Sequence, residues 1–134
     1  MKASSNTSGM VMFRPIEAVF NKEDEKLLKA HPYCEFKIGP QEGKTSVYRH
    51  EGNNPHWSDS INLDLNSGER SAKVKVIDEA SPRGEDKLGI AEISLDEAIL
   101  TKRENRWFYL YSEGNVVGQI HLDIQFQPDS TVST

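Results

Sequence analysis

The sequence predicts an all-β fold, an eight-stranded antiparallel β-sandwich of two four-stranded sheets. The first observation is that short segments with alternating apolar and polar residues recur between turn signals. The second is that each segment has one apolar face, which favours two sheets packed on each other. The third is the length of 134 residues, which fits one domain whose core needs no disulfide or metal.

Eight segments alternate as strands do, and each has an ordinary strand length. They are MVMFRPIEAVF at 10–20, YCEFKIG at 33–39, KTSVYR at 44–49, INLDL at 61–65, SAKVKVI at 71–77, LGIAEISL at 88–95, RWFYLY at 106–111 and VGQIHLDIQF at 117–126. Leu95, Ala98, Ile99 and Lys102 instead follow helical spacing, which predicts one short helix near 96–103. Small polar residues at the ends predict disordered tails at 1–9 and 128–134, around a domain at 10–127.

Charge and composition narrow the class of protein. The chain has 16 Lys and Arg against 21 Asp and Glu, a net charge of −5. We expect no nucleic-acid partner, because phosphate neutralisation needs a basic surface. No apolar run is long enough to span a bilayer, and MKASSNTSGM lacks an apolar signal core. With a single cysteine, Cys34, these features predict a cytoplasmic monomer.

No arrangement typical of catalysis occurs, so we expect a protein that is not an enzyme. The sequence has neither a Gly-x-Ser-x-Gly elbow nor a Gly-Lys-Ser phosphate loop. Its histidines lack the spacing of zinc ligands and are predicted to lie at the surface. They are His31, His50, His56 and His121. Cys34 alternates onto an apolar face, which indicates a small core residue rather than a nucleophile.

The aromatic segment at 107–111 is also predicted to pack into the core. Alternation places Trp107, Tyr109 and Tyr111 on one face of its strand. Phe108 and Leu110 fall on the other face. Such side chains are ordinary core material in a sandwich strand, and we prefer that interpretation to a ligand platform.

Several motifs have a clear physical role and together resemble a known family. Pro32 forces His31 into an extended conformation and starts a strand. Asn54-Pro55 makes a turn, and Trp57 after it is suited to plug one end of the core. Taken in order, HPYCEFKIG, NNPHW, VIDEASPRGEDKLGIAEISL and the closing WFYLY hairpin resemble a C2 domain from about Met10 to Gln127. The strand order resembles the circularly permuted type II topology of that calcium- and lipid-binding family.

The resemblance implies a calcium site at one end of the sandwich, but the acidic positions depart from the family pattern. Of five expected carboxylates, Asp78 and Asp86 match, Glu25 is a longer acid, and His31 and Ala80 replace the other two. Calcium takes six to eight oxygen ligands, and neither His31 nor Ala80 offers a side-chain oxygen. Two alternatives remain open: a weak site with a Kd of ~10⁻⁴–10⁻³ M, or an acidic loop inherited from a calcium-binding ancestor.

The resemblance also implies membrane-binding residues. The lysines of three neighbouring strands, Lys37, Lys44, Lys73 and Lys75, are predicted to point outward as a groove for a phosphoinositide headgroup. Alternatively, they are solvated and paired with acids such as Glu35. Leu27 and Leu28 in the first loop either insert into a bilayer or fold back onto the sandwich as a short helix.

These features together predict a non-enzymatic C2-like module that binds anionic phospholipid or phosphoinositide membranes peripherally, with weak or lost calcium dependence. Signalling or trafficking is the expected setting. The alternative is an adaptor that binds a protein partner and has no affinity for lipid.

Overall fold

A computed structural model describes residues 7–21, 29–50, 53–81 and 86–129. Within these ranges the fold consists of antiparallel strands and one short helix, as predicted. The elements are β1 (Gly9–Phe20), β2 (Pro32–Ile38), β3 (Gln41–Lys44), β4 (Ile61–Leu65), β5 (Ser71–Asp78), β6 (Asp86–Ser94), α1 (Asp96–Thr101), β7 (Arg103–Ser112) and β8 (Asn115–Pro128).

The strands form two four-stranded halves. Their hydrogen-bonded order is β3-β2-β5-β6 followed by β7-β8-β1-β4. In the described part of the chain, the pairing of β6 with β7 consists of Ile90 opposite Tyr111, so the two halves separate on either side of this pair. β1 lies between β4 and β8, which brings the two ends of the domain together at Gly9 and Pro128. This order confirms the permuted topology.

The core lies between the inner faces of the two halves. Phe13 of β1 stacks on Phe36 of β2 with ring centroids 4.7 Å apart, and both rings are fully buried. Trp57 is 8% exposed, and its indole Nε1 donates to the Pro32 carbonyl oxygen at 3.3 Å. Cys34 is fully buried, as alternation predicted. Burial of apolar side chains, these rings among them, is the dominant favourable contribution to folding.

The strand predicted at 44–49 is displaced. Gly39 adopts a φ of +55°, which turns the chain back directly after β2, so β3 begins at Gln41 and ends at Lys44. Beyond Lys44 the chain still runs beside β2, where Thr45 Oγ1 accepts a hydrogen bond from the Cys34 N–H at 2.9 Å. Between Thr45 and Arg49, a side-chain hydrogen bond and isolated backbone hydrogen bonds take the place of the continuous strand pairing that was predicted.

The first and last strands pair with each other near the two ends of the described chain. β1 begins at Gly9 and β8 ends at Pro128, each one residue beyond the predicted limit. Ser8 Oγ donates to Asp129 Oδ2 at 2.9 Å, which links the two ends outside the strands. Most of both predicted tails lies outside the described residues. Among the residues that are described, no helix has the length and apolarity needed to cross a bilayer.

Candidate functional site

The two acidic residues predicted to bind calcium lie at the last residue of β5 and the first residue of β6. Asp78 is directly opposite Asp86 in the strand register. Asp78 is 5% exposed, and its Oδ1 accepts hydrogen bonds from the His31 and Ala80 backbone N–H groups, each at 2.9 Å. Asp86 Oδ2 accepts a hydrogen bond from Ser81 Oγ at 2.8 Å. Both carboxylates therefore already hold the surrounding loops.

These residues do not fit a calcium ion well. Calcium takes six to eight oxygens at the centre of clustered carboxylates. One Asp78 oxygen is committed to two backbone donors, and Ala80 contributes no side-chain oxygen. In the described ranges no group of three His, Cys, Asp or Glu side chains is placed to hold a metal. The third predicted ligand, Glu25, lies outside the described residues, as do the predicted insertion residues Leu27 and Leu28.

The four predicted lysines lie on one surface, the outer face of β2, β3, β5 and β6, which we call the lysine face. The register places Lys37 directly opposite Lys73, and Glu35 opposite both Lys75 and Lys44. Alternate residues of these strands, such as Phe36 and Val74, are fully buried, so the lysines point to the other side. The structure thus brings together all four residues, although β3 is shorter than predicted.

Three glutamates share the lysine face and reduce its positive charge. Lys75 Nζ lies 3.9 Å from Glu35 Oε1, and Lys73 Nζ lies 3.8 Å from Glu92 Oε2. Glu42 is opposite Lys37 in the register. Both distances are close to the limit for an ion pair. The Lys73–Glu92 pair is exposed and contributes little, whereas Lys75 and Glu35 are more buried and neutralise each other more fully.

Lys37 and Lys44 keep a different environment. Within the described ranges neither forms an ion pair, and the Lys44 ammonium lies 5.8 Å from the centre of the Tyr33 ring. Lys37 faces the like charge of Lys73 across the strands, an arrangement that destabilises a sheet slightly. An anion bound between these two ammonium groups would relieve that repulsion.

The core prediction for the aromatic segment is half right. Phe108 and Leu110 are buried as predicted. Trp107, Tyr109 and Tyr111 occupy the outer face of β7 and are exposed, Tyr109 by 58%, so the core prediction is wrong for these three. Because β7 and β8 form one side of the sandwich, only one face of each strand meets the core. Trp107 stacks instead on His121, with ring centroids 4.9 Å apart.

Two of the four histidines are exposed as predicted, whereas His31 and His121 are half-buried, and the cysteine is buried as predicted. His50 and His56 are exposed, and both rings contact Tyr48, with centroids 5.3 and 4.9 Å apart. Burial raises the pKa of the Cys34 thiol well above its usual range, and the carboxylate of Asp59 adds to the shift. A neutral, fully buried thiol is a poor nucleophile, so Cys34 has a structural role.

One further site was missed by the sequence analysis. Between β6, α1 and β7 lies a cleft, here called the acidic cleft. Its lining comprises Glu92, Ser94, Asp96, Glu97, Glu104, Arg106 and Phe108. The cleft itself has no local sequence signal, but the position of Glu104 does, since alternation carried back from the predicted strand at 106–111 puts Glu104 on the same side as Phe108 and Leu110. A carboxylate at a core-facing position of a strand is unusual.

Comparison with known families settles the class of this protein. The strand order and the loop end are those of a C2-type sandwich. The family model described as "C2 domain" matches residues 10–110, about three quarters of the chain. The chain belongs to the C2 domain family.

Two curated relatives are rice proteins. Elicitor-responsive protein 3 of Oryza sativa subsp. japonica is 29% identical over 105 residues, which cover 77% of this chain and 72% of the relative. Elicitor-responsive protein 1 of the same subspecies is 28% identical over 110 residues, which cover 73% and 69%.

Solved structures show the same fold. A C2 domain-containing protein attributed to an elicitor-responsive gene has a TM-score of 0.85 and 20% identity, with 100% of this chain and 99% of that chain covered. A C2 domain of plant extended synaptotagmin 1 has a TM-score of 0.75 and 18% identity, with 91% and 96% covered. A calcium-bound structure of paired C2 domains from extended synaptotagmin 2 has a TM-score of 0.72 and 25% identity, with 88% and 45% covered.

Proposed function

We propose that this C2 domain is a non-catalytic module that docks peripherally on anionic or phosphoinositide membranes through its lysine face, with little or no dependence on calcium. The observation that carries the proposal is the placement of Lys37 directly opposite Lys73 on an outer sheet face that also holds Lys44 and Lys75. Like charges opposed across strands cost stability, and an anionic headgroup between them would offset that cost.

The small net charge of the lysine face sets the strength of the interaction. Each lysine near an anionic surface contributes about 1 kcal/mol, which falls as salt increases. Glu35 and Glu92 offset part of the attraction through Lys75 and Lys73. We therefore propose weak, salt-sensitive membrane binding in which Lys37 and Lys44 contribute most.

The proposed loss of calcium dependence rests on the loop end. Asp78 is buried and uses one oxygen to bind two backbone N–H groups. Ala80 and His31 stand where the family pattern has acids. A buried carboxylate oxygen that already accepts hydrogen bonds from the protein does not need a metal ion as its partner.

A second function, binding of a protein partner without lipid, is favoured by the exposed aromatic row. Trp107, Tyr109 and Tyr111 lie on the opposite outer face of the sandwich from the lysines. Tyrosine and tryptophan are enriched in protein interfaces. In this alternative the three glutamates of the lysine face leave too little positive charge for a membrane.

Vesicle flotation separates the two functions. Vesicles of phosphatidylcholine with a phosphoinositide should carry the protein upward in the presence of EGTA, and plain phosphatidylcholine vesicles should not. Lys37→Ala combined with Lys75→Ala should weaken binding by roughly 1–2 kcal/mol, between about fivefold and thirtyfold, because Glu35 already offsets part of the Lys75 charge. The control, Arg49→Ala with Lys102→Ala, removes the same charge from exposed positions elsewhere and should have a much smaller effect.

Two results would contradict the proposal. Flotation of the lysine double variant at the wild-type level would place the lipid site on another surface, with Leu27 and Leu28 the next residues to substitute. Absence of flotation with every anionic vesicle at low salt would leave the protein-binding function.

A further inference from the structure

Glu104 is the one described side chain with a buried polar atom that lacks a hydrogen-bond partner. Its side chain is 7% exposed. Oε2 lies 3.2 Å from Arg106 Nη1, whereas no donor of the described residues reaches Oε1. A carboxylate oxygen removed from water without a donor is costly, and native structures keep few such atoms. A buried oxygen without a donor, on a side chain that lines a cleft, points to a ligand.

The surroundings of Glu104 are suited to a cation. The acidic cleft is lined by four carboxylates, those of Glu92, Asp96, Glu97 and Glu104, and by one guanidinium, that of Arg106. Two neighbouring cations offset part of this charge, since Arg70 binds Asp96 at 2.8 Å and Lys73 lies 3.8 Å from Glu92. The remaining potential in the cleft is negative.

Arg106 shows how a guanidinium fits in the cleft. It stacks over the Phe108 ring at 4.7 Å while one of its nitrogens donates to Glu104. It uses only one carboxylate oxygen, although a carboxylate can accept two parallel hydrogen bonds from one guanidinium. The last torsion of a glutamate side chain is broad and roughly two-fold, so rotation about it can exchange the positions of the two oxygens.

Among the described residues, no strand pairs with the backbone that borders the cleft on the β7 side of β6. In the described ranges β6 pairs with β5 along its length but with β7 only at Ile90, so the edge of β6 from Ala91 to Ser94 faces the cleft without a strand. Unpaired edges accept an added strand, whose backbone supplies affinity and whose alternate side chains supply specificity. The unpaired edge therefore favours an extended peptide over a small diffusible cation as the ligand of the cleft.

We propose that the acidic cleft binds an extended segment of a partner protein, which pairs with the edge of β6 and places a guanidinium or ammonium group on Glu104. The inference does not depend on membrane binding, because Glu104, on which it rests, lies on β7 and not on the lysine face, although Glu92 belongs to both the cleft and that face.

The test uses the intact chain and three probes. The first is the capped peptide Ac-Thr-Val-Arg-Val-Thr-NH2, the second is the same peptide with neutral citrulline for arginine, and the third is arginine amide alone. Nuclear magnetic resonance should show shifts of the Glu104 and Arg106 amides with the arginine peptide. Citrulline should weaken binding at least tenfold, and arginine amide should bind more weakly than the peptide.

Variants identify the residue responsible. Glu104→Gln keeps the shape of the side chain but removes its charge, and should weaken peptide binding at least tenfold. Glu113→Gln removes the same charge in the β7–β8 turn and should bind as the wild type does. If Glu104→Gln does not fold, Glu97→Gln on the exposed side of α1 should still weaken binding severalfold.

Four results would overturn the inference: no amide shift up to millimolar arginine peptide, equal binding of the citrulline peptide, wild-type binding by Glu104→Gln, or wild-type binding by Glu97→Gln where Glu104→Gln is unfolded. Equal affinity for arginine amide and the peptide would show that the cleft takes a small cation and that no partner segment pairs with β6.

Discussion

Asp78 Oδ1 lies 2.9 Å from the backbone nitrogen of His31, forty-seven residues earlier in the chain. The same oxygen lies 2.9 Å from the Ala80 nitrogen, so one buried carboxylate joins the start of β2 to the end of β5. A residue in the position of a calcium ligand thus has a structural function that needs no ion. The presence of Asp78 at this position is therefore no indication of calcium binding.

We predict that calcium at about 1 mM, the upper end of the weak class, shifts the melting temperature little. The double variant His31→Asp with Ala80→Asp restores the two missing carboxylates and should gain a clear calcium-dependent shift. Asp78→Ala should lower the free energy of unfolding by about 1–3 kcal/mol with or without calcium, because two N–H groups lose their acceptor.

Thermal melts with EGTA and with calcium measure both effects. A strong shift in the wild type that disappears in Asp78→Asn would contradict this prediction, and would show that the remaining acids suffice.

Much of the fold could be predicted from the sequence, because each strand has one buried face and alternation records it. The strand predicted at 44–49 is the exception. Val47 and Tyr48 suggested a strand there, but the turn at Gly39 makes β3 pair with β2 from Gln41 to Lys44 instead. Alternation also separated the two faces of β7 correctly. It could not say that the face with Trp107 is solvent-exposed, since both faces are apolar.

The sites were less predictable for a physical reason. The lysine face follows from strand order, which the resemblance supplied. To predict that Glu92 offsets the charge of Lys73, one needs the register between β5 and β6, which places the two residues opposite each other. The acidic cleft depends on β6 and β7 separating beyond Ile90, a tertiary feature with no local sequence signal.

The two tryptophans should respond differently to truncation. Trp57 is 8% exposed and plugs one end of the core, so Trp57→Ala should lower the free energy of unfolding by ~3–5 kcal/mol. Trp107 is 39% exposed on an outer face, and Trp107→Ala should cost less than about 1.5 kcal/mol. Urea unfolding of the two variants is a matched comparison. Equal costs would contradict the assignment of Trp57 to the core and Trp107 to the surface.

Acid should weaken one defined contact at the start of α1. The hydrogen bond from Arg70 Nε, at 2.8 Å, lowers the pKa of Asp96 below its ordinary value. A carboxyl whose pKa is lower in the folded state stabilises the fold above its unfolded pKa, and that contribution is lost as the pH falls through the folded pKa.

Arg70→Gln should therefore raise the pKa of Asp96 towards its ordinary value, measured by carboxyl carbon resonances during an acid titration. Arg49→Gln is the control, since Arg49 pairs with Glu79 instead. An unchanged Asp96 titration in Arg70→Gln would show that Arg70 is not the cause.

The lysine face leads to a prediction of increased rather than decreased binding. Glu35 lies opposite both Lys44 and Lys75, and its Oε1 is 3.9 Å from the Lys75 ammonium. Glu35→Gln keeps the side-chain shape and removes the central negative charge. If the face meets anionic vesicles, affinity should rise by about 1 kcal/mol, roughly fivefold, at low salt and by less at high salt. Glu113→Gln is the control, because it changes the net charge of the protein equally in the β7–β8 turn. An equal gain in affinity for Glu113→Gln would show that the effect comes from the net charge of the whole protein. No gain in either variant would show that the lysine face does not contact the membrane.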